Sequence, residues 1–270
     1  MPMNIEKLAI YVDWGVTIKF SDPIVEKNGI TAYAHWPCRS QYTLEGSAKS
    51  MSEAVNDIGI VFSNPNLKIT RLELNRGSTT TYKQNQNEIN LFQEKFVQCL
   101  VSMMSSLPHQ IHVEYVFLDC IEILPFLKSE KLKMIDLSPM EITDDSLHKI
   151  AQLEQIKRLP IIRILPMLDH VPFDIISNTS KFGIFVRNFP ESDFTRFVEQ
   201  NLQEENFKFG QVIIDGNGIG SWITDFLSKH HAVKTDDGSM IATLDGPKFK
   251  NTVEFGEIEG QETVVFKRTT

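Results

Sequence analysis

The chain has 270 residues, near the upper end for a single hydrophobic core. Its composition, 41% hydrophobic, 10% aromatic and 23% charged, is that of a folded protein and excludes a wholly disordered one. The net charge of −8, with no dense Lys/Arg block, argues against nucleic acid or an anionic membrane as the main partner.

Residues 4–20 read as two strands. Ile5, Leu8, Ile10 and Val12 form the first, and Val16, Ile18 and Phe20 the second, around the turn-prone Asp13-Trp14-Gly15. A hairpin-like piece follows over residues 30–42, and Gly46 and Ser47 break the pattern. From Ser50 to Phe62 the apolar period becomes helical, through Met51, Ala54, Val55, Ile58 and Phe62. Ser50 or Ser52 offers the N-cap, and Asn64-Pro65-Asn66 the stop. Lys68 to Leu74 is a strand, and residues 77–81 make a polar loop. The clearest helix runs from Asn87 to Ser106, with Ile89, Phe92, Phe96, Cys99, Leu100, Met103 and Leu107 on its apolar face.

The middle of the chain sets the theme. Ile111 to Leu118 is an apolar, β-rich run, a short helix-like piece ends at Pro125-Phe126-Leu127, and Leu132 to Leu137 is β-rich again. Leu72-Glu73-Leu74, Val116-Phe117-Leu118 and Ile135-Asp136-Leu137 each flank one tolerant position with two apolar ones. On a strand the flanking residues point inward and the middle one outward. Strand, short helix and strand at roughly 20–29 residues per unit is the pattern of leucine-rich-repeat solenoids.

Thr143-Asp144-Asp145 then caps a helix running through Leu153. Strands follow at residues 159–164, 182–186 and 209–214, with helices from Asp193 to Gln203, opened by Pro190 and Ser192, and from Trp222 to Leu227. Beyond Lys229 the period returns to two, in residues 240–244, 253–255 and 263–266. The expected fold is α/β: an irregular leucine-rich-repeat-like strand/helix repeat sharing one sheet, closed by a C-terminal β meander. One domain is expected over 1–270, made of N-terminal β segments (1–45), an α/β repeat region (46–228) and the meander (229–270).

Few residues invite a chemical reading. Residues 215–220, Asp-Gly-Asn-Gly-Ile-Gly, join a strand to a helix, where glycines can bring N–H groups to a phosphate. A dinucleotide fingerprint needs a different glycine spacing and a following βαβ unit, and no P-loop sequence is present. A small-molecule or nucleotide-binding enzyme using this loop is the alternative function. His109 and His112, three apart at a strand, face opposite ways, and His230-His231 sit at a helix end. Cys38, Cys99 and Cys120 form no Cys-x-x-Cys pair, which argues against zinc and suits a reducing compartment. The adjacent carboxylates, such as Asp144 and Asp145, lack Ser/His or Lys/Tyr partners at motif spacing, and no serine lies in a Gly-x-Ser-x-Gly elbow. No catalytic, cofactor or metal residues are therefore expected, and the chain reads as non-enzymatic. Glu6 and Asp13 interrupt what a signal peptide needs, and no apolar run approaches a membrane span. An intracellular protein, cytoplasmic or nuclear, is expected.

Several segments resemble one family. Asn64-Pro65-Asn66-Leu67-Lys68-Ile69 with Leu72-Glu73-Leu74, Ser106 to Val113, Ile123 to Lys128 with Leu132 to Leu137, Leu153 to Leu159 and the closing Val253 to Lys267 are similar, in order, to the FTH domain. That domain is the C-terminal module of an expanded set of nematode F-box proteins. At Ile156 the family usually has Trp. The resemblance implies a substrate-recruiting module of the ubiquitin system, although residues 1–22 read as strands and no F-box is recognised. Its partner would be a protein, with ubiquitin-ligase components among the candidates. In the strand register above, a solenoid presents the middle residues as one continuous surface, here Arg71, Glu73, Tyr115, Phe117, Met134, Asp136 and Arg163. Exposed aromatics with arginines have the composition of an interface hot spot.

Overall fold

The computed structural model describes residues 3–12, 16–21, 29–33, 44–76, 86–137, 142–177, 179–200, 202, 204–215, 221–246 and 248–269. The chain divides into two compact units, Met1–Ile135 and Asp136–Thr270. Both are mixed α/β, the class expected from the sequence.

The first unit holds β1 (Met3–Val12), β2 (Val16–Ser21), β3 (Gly29–Tyr33), α1 (Leu44–Phe62), β4 (Leu67–Arg76), α2 (Gln86–Ser105) and β5 (His112–Leu118). β1 pairs antiparallel with β2, and β2 with β3, while β1, β4 and β5 run parallel. Parallel neighbours need a crossover long enough to hold a helix, and α1 and α2 lie in the two crossovers. β6 (Met134–Asp136) lies at the boundary of the units.

Three rows of apolar residues tie the parallel strands together. Ile5 pairs with Ile69 and Ile69 with Val113; the next row is Leu8, Leu72 and Val116, and the third is Ile10, Leu74 and Leu118. All nine are buried. The first and second rows are three residues apart, and the second and third only two. Two successive residues therefore escape the core at the same level of each strand: Glu6-Lys7, Thr70-Arg71 and Glu114-Tyr115. Unbroken alternation from Ile69 would have driven Arg71 into the apolar side. The shared irregularity keeps each charge and phenol out of the core.

Both long helices differ from expectation at their margins. α1 starts at Leu44, so Ser50 and Ser52 lie within it rather than capping it, and Gly46-Ser47 does not break it. Leu44, Ala48 and Met51 continue backwards the four-and-three spacing of Val55, Ile58 and Phe62, so the apolar spacing spans the whole helix across Gly46 and Ser47. On α2 the buried stripe is Ile89, Phe92, Phe96, Val97, Leu100 and Met104, while Cys99 is exposed and Met103 half-buried. Gln93, buried on that stripe, donates from Nε2 to the Val12 carbonyl at 2.9 Å. Residues 124–126 and 129–131 are 3-10 turns. The chain around them runs along β5, with Ile111 donating to Phe126 O (2.9 Å), Lys128 to Ile111 O (2.9 Å) and Lys133 to Glu114 O (2.7 Å).

The second unit holds α3 (Asp144–Ala151), α4 (Glu154–Lys157), β7 (Ile161–Leu168), α5 (Phe173–Ile176), β8 (Lys181–Val186), α6 (Glu191–Gln200), β9 (Phe209–Ile214) and α7 (Trp222–Lys229). β10 (Val233–Lys234), β11 (Met240–Asp245), β12 (Lys250–Ile258) and β13 (Gln261–Thr269) complete it. β7, β8 and β9 are parallel, and the expected meander joins them through its last strand, β13, antiparallel to β9. Thr143 caps α3 as anticipated, its Oγ1 accepting from Ser146 N–H. The spacing of the first unit recurs here in the buried Leu159, Ile162 and Ile164, and again in Thr179, Phe182 and Ile184.

Much of the chain's phenylalanine lies in this second core. Phe197 stacks within 5.3 Å of Phe182, 5.6 Å of Phe207 and 4.3 Å of Phe266. Phe194 meets Phe226 at 4.7 Å and Trp222 at 4.9 Å. Gly210, the β9 partner of Phe182, leaves space for that ring, since a Cβ there would lie 2.4 Å from Phe182 Cζ. Among the described residues no helix is long and apolar enough to cross a membrane.

Candidate functional site

The residues excluded from the three apolar rows of the first unit form a cross-strand array. Lys7 on β1 is opposite Arg71 on β4, and Arg71 opposite Tyr115 on β5. One step along, Glu73 is opposite Phe117. Glu73 is the hub: its Oε2 is 2.9 Å from Lys7 Nζ and accepts from the Tyr11 hydroxyl at 3.4 Å, and its Oε1 is 2.6 Å from Arg71 Nη2. Only 13% of the Glu73 side chain is exposed, which alone would raise its pKa, yet the flanking Lys7 and Arg71 more than offset this burial. The net effect holds Glu73 below the usual carboxylate range.

The aromatic residues are fixed by cations. The Arg71 guanidinium sits 3.9 Å from the centre of the Phe117 ring, and Lys133 Nζ 5.8 Å from that of Tyr115. Lys133 also pairs with Glu114 at 2.7 Å. Tyr115, Phe117 and Met134 are each half-buried, and about half of Arg71 remains accessible. The face is thus pre-ordered, with two rings held against paired charges.

Of the seven residues expected to form one surface, Arg71, Glu73, Tyr115, Phe117 and Met134 lie in the first unit, and Asp136 and Arg163 in the second. Asp136 corrects its expected exposure: it is only 3% exposed, with Arg163 Nη1 3.2 Å from its Oδ2. A carboxylate flanked by Ile135 and Leu137 can occupy that position because the guanidinium on β7 pairs with it. Glu73 is likewise more enclosed than a free strand-middle residue. Lys7, Tyr11, Glu114 and Lys133 belong to the array although the three-residue signature did not reach them. For Lys7 the signal was present, since Ile5, Leu8 and Ile10 repeat the spacing of Ile69, Leu72 and Leu74.

At the ends of β4 and β5 a buried carboxylate is used structurally. Asp119 accepts from Arg76 N–H, its Oδ1 is 3.4 Å from Arg76 Nε, and Arg76 Nη2 donates to the Asp119 carbonyl at 2.6 Å. Burial outweighs these contacts and raises the Asp119 pKa. The adjoining Cys120 thiol is pushed far above its ordinary value by burial, with Asp119 and Glu122 adding to it, and is a poor nucleophile.

The other sites considered do not converge. His109 Nε2 lies 3.1 Å from Phe62 O, and His112 is half-buried on β5. Among the described residues no group of three His, Cys, Asp or Glu side chains could hold a metal. Asp215 is exposed at the end of β9, and the remainder of the glycine loop, 216–220, lies outside the described residues, as does Cys38. In the second unit a cleft of about 290 Å³ is lined by Asp144, His148, His170, Phe173, Asp174 and Arg196 among others, with Arg196 lying 4.1 Å from the Phe173 ring centre. Its described lining contains no serine, cysteine or lysine nucleophile.

No curated protein and no solved structure matches the chain. Residues 94–227, from within α2 into α7, match the family model of the FTH domain.

Proposed function

We propose that this chain is a non-enzymatic protein-interaction module that recruits a substrate protein to an F-box type ubiquitin ligase. The matched family is one associated with F-box proteins. A leucine-rich-repeat-like reading of the apolar rows agrees with this role, because such folds present the outer residues of parallel strands as a recognition surface. The single observation that carries the proposal is the array on β4 and β5. Phe117 and Tyr115 remain half-exposed and pre-ordered beneath Arg71 and Lys133, so little side-chain freedom is lost when a partner covers them.

A photo-cross-linking phenylalanine analogue placed at position 115 or 117 tests this in the native cell. The expected result is a discrete protein adduct from these two positions and none from position 254 on β12, with ubiquitin-ligase components recovered alongside. Equal adduct patterns from all three positions would remove the array from the proposal. Stabilisation of the chain by a nucleotide in a thermal scan would instead favour the glycine-loop enzyme.

A further inference from the structure

The charges on the outer side of the first unit are unevenly matched. Glu73 engages Lys7 and Arg71, and Glu114 engages Lys133. Lys68, Lys128 and Lys131 take part in no ion pair among the described residues, and Lys68 and Lys131 are exposed. The fold brings these three together. Lys68 is the cross-strand neighbour of His112 in the β4/β5 ladder. Lys128 donates its N–H to Ile111 O, immediately before His112, and Lys131 ends the 3-10 turn that starts at Ser129, its N–H bonded to Lys128 O at 3.1 Å. Half-buried His112 therefore sits between Lys68 on one side and the Lys128–Lys131 turn on the other.

We propose that this lysine cluster, continuous along β5 with Tyr115 and Phe117, docks an acidic peptide segment of the partner protein. The occupant follows from charge and from chemistry. Three ammonium groups with no ion-pair partner among the described residues favour negative charge, and the Tyr115 and Phe117 rings, three and five residues along β5 from His112, favour apolar side chains beside it. A nucleic acid or lipid headgroup fits less well, because Glu73 and Glu114 stand within the same face and the chain as a whole carries −8. Glu6 and Glu130, both exposed, are the nearby acids that such a peptide would have to avoid. Burial lowers the His112 pKa first, and of the charged groups around it Lys131, Lys68 and Lys128 lower it further while Glu114 raises it. An anion bound there adds to the Glu114 side of that balance, so docking should raise the His112 titration midpoint.

This inference rests on the proposed role of the β4/β5 face. The test uses the full chain and a fluorescein-labelled peptide in which Glu alternates with Leu, followed by fluorescence anisotropy. Controls are the same peptide with Lys for Glu, phosphatidylserine vesicles and a single-stranded oligonucleotide. The wild type should bind the acidic peptide, less tightly as salt rises, and the Lys68→Ala/Lys128→Ala/Lys131→Ala variant should lose about tenfold in affinity with an unchanged circular dichroism spectrum. The His112 ring resonance should titrate at higher pH in the complex. No binding of the acidic peptide, equal binding of the Lys peptide, tighter binding of vesicles or oligonucleotide, or an unaffected triple variant would each overturn the proposal. If the triple variant still yields the position-117 cross-link to the native partner, the interaction face stands and the lysine cluster alone is discarded.

Discussion

Glu73 and Phe117 face each other across β4 and β5 yet have separable roles. Glu73 holds Lys7 and Arg71, so Glu73→Gln should cost about 1 kcal/mol near neutral pH, the upper end for ion pairs whose cations stay nearly half exposed to solvent. Because its pKa is depressed in the folded chain, this stabilisation is complete above the ordinary carboxylate range and fades as the pH falls through the folded value. Urea denaturation of both proteins should thus show a deficit near neutrality that closes in acid. An equal deficit at both pH values would show that the ion pairs are not its source. Phe117→Ala should destabilise by only about 1 kcal/mol, mainly through the lost Arg71 contact and partial burial. Leu118→Ala, at a site with 0% exposure, should cost about 3 kcal/mol. Residue-scale features were legible in the sequence where they depend on near neighbours, as with the outward setting of Glu73 and Phe117. The burial of Asp136 was not, because its partner Arg163 arrives from another strand and no local pattern announces the pair.

Elements were legible where apolar spacing fixed them and less so at their margins. β4, β5, β8 and β9 lie where the period-two runs placed them, and α2 differs from its expected span by one residue at each end. The start of α1 was hidden because Gly46 and Ser47, poor helix formers, stand inside its first turn. The three-then-two spacing of the buried rows was also hidden, since each strand read alone looks like imperfect alternation and only the registered ladder shows that the imperfection is shared. The same dependence on a neighbouring strand governs Gly210 on β9. A methyl there would meet the Phe182 ring, which Phe197 and Phe207 confine, so Gly210→Ala should cost about 1–3 kcal/mol and lower the thermal midpoint. Adding Phe182→Leu should restore part of that loss. If the double variant is simply the sum of two losses, the steric reading of this pair is wrong.

At the scale of the whole molecule, the sequence conveyed the α/β class and the β meander, and the family match falls on residues 94–227. Of the seven expected surface residues, five belong to the first unit, and Asp136 and Arg163 to the second. The proposed recognition surface is that of the first unit, the array of Lys7, Arg71, Glu73, Tyr115 and Phe117 with the lysines beside it. The most direct measurement is quantitative affinity isolation from the native cell with three baits: wild type, Arg71→Ala/Phe117→Ala, and Lys267→Ala on β13 as a surface control. The account predicts that proteins retained by wild type and by the control are lost at least severalfold from the double variant, while its circular dichroism spectrum is unchanged. Equal recovery on all three baits would contradict it.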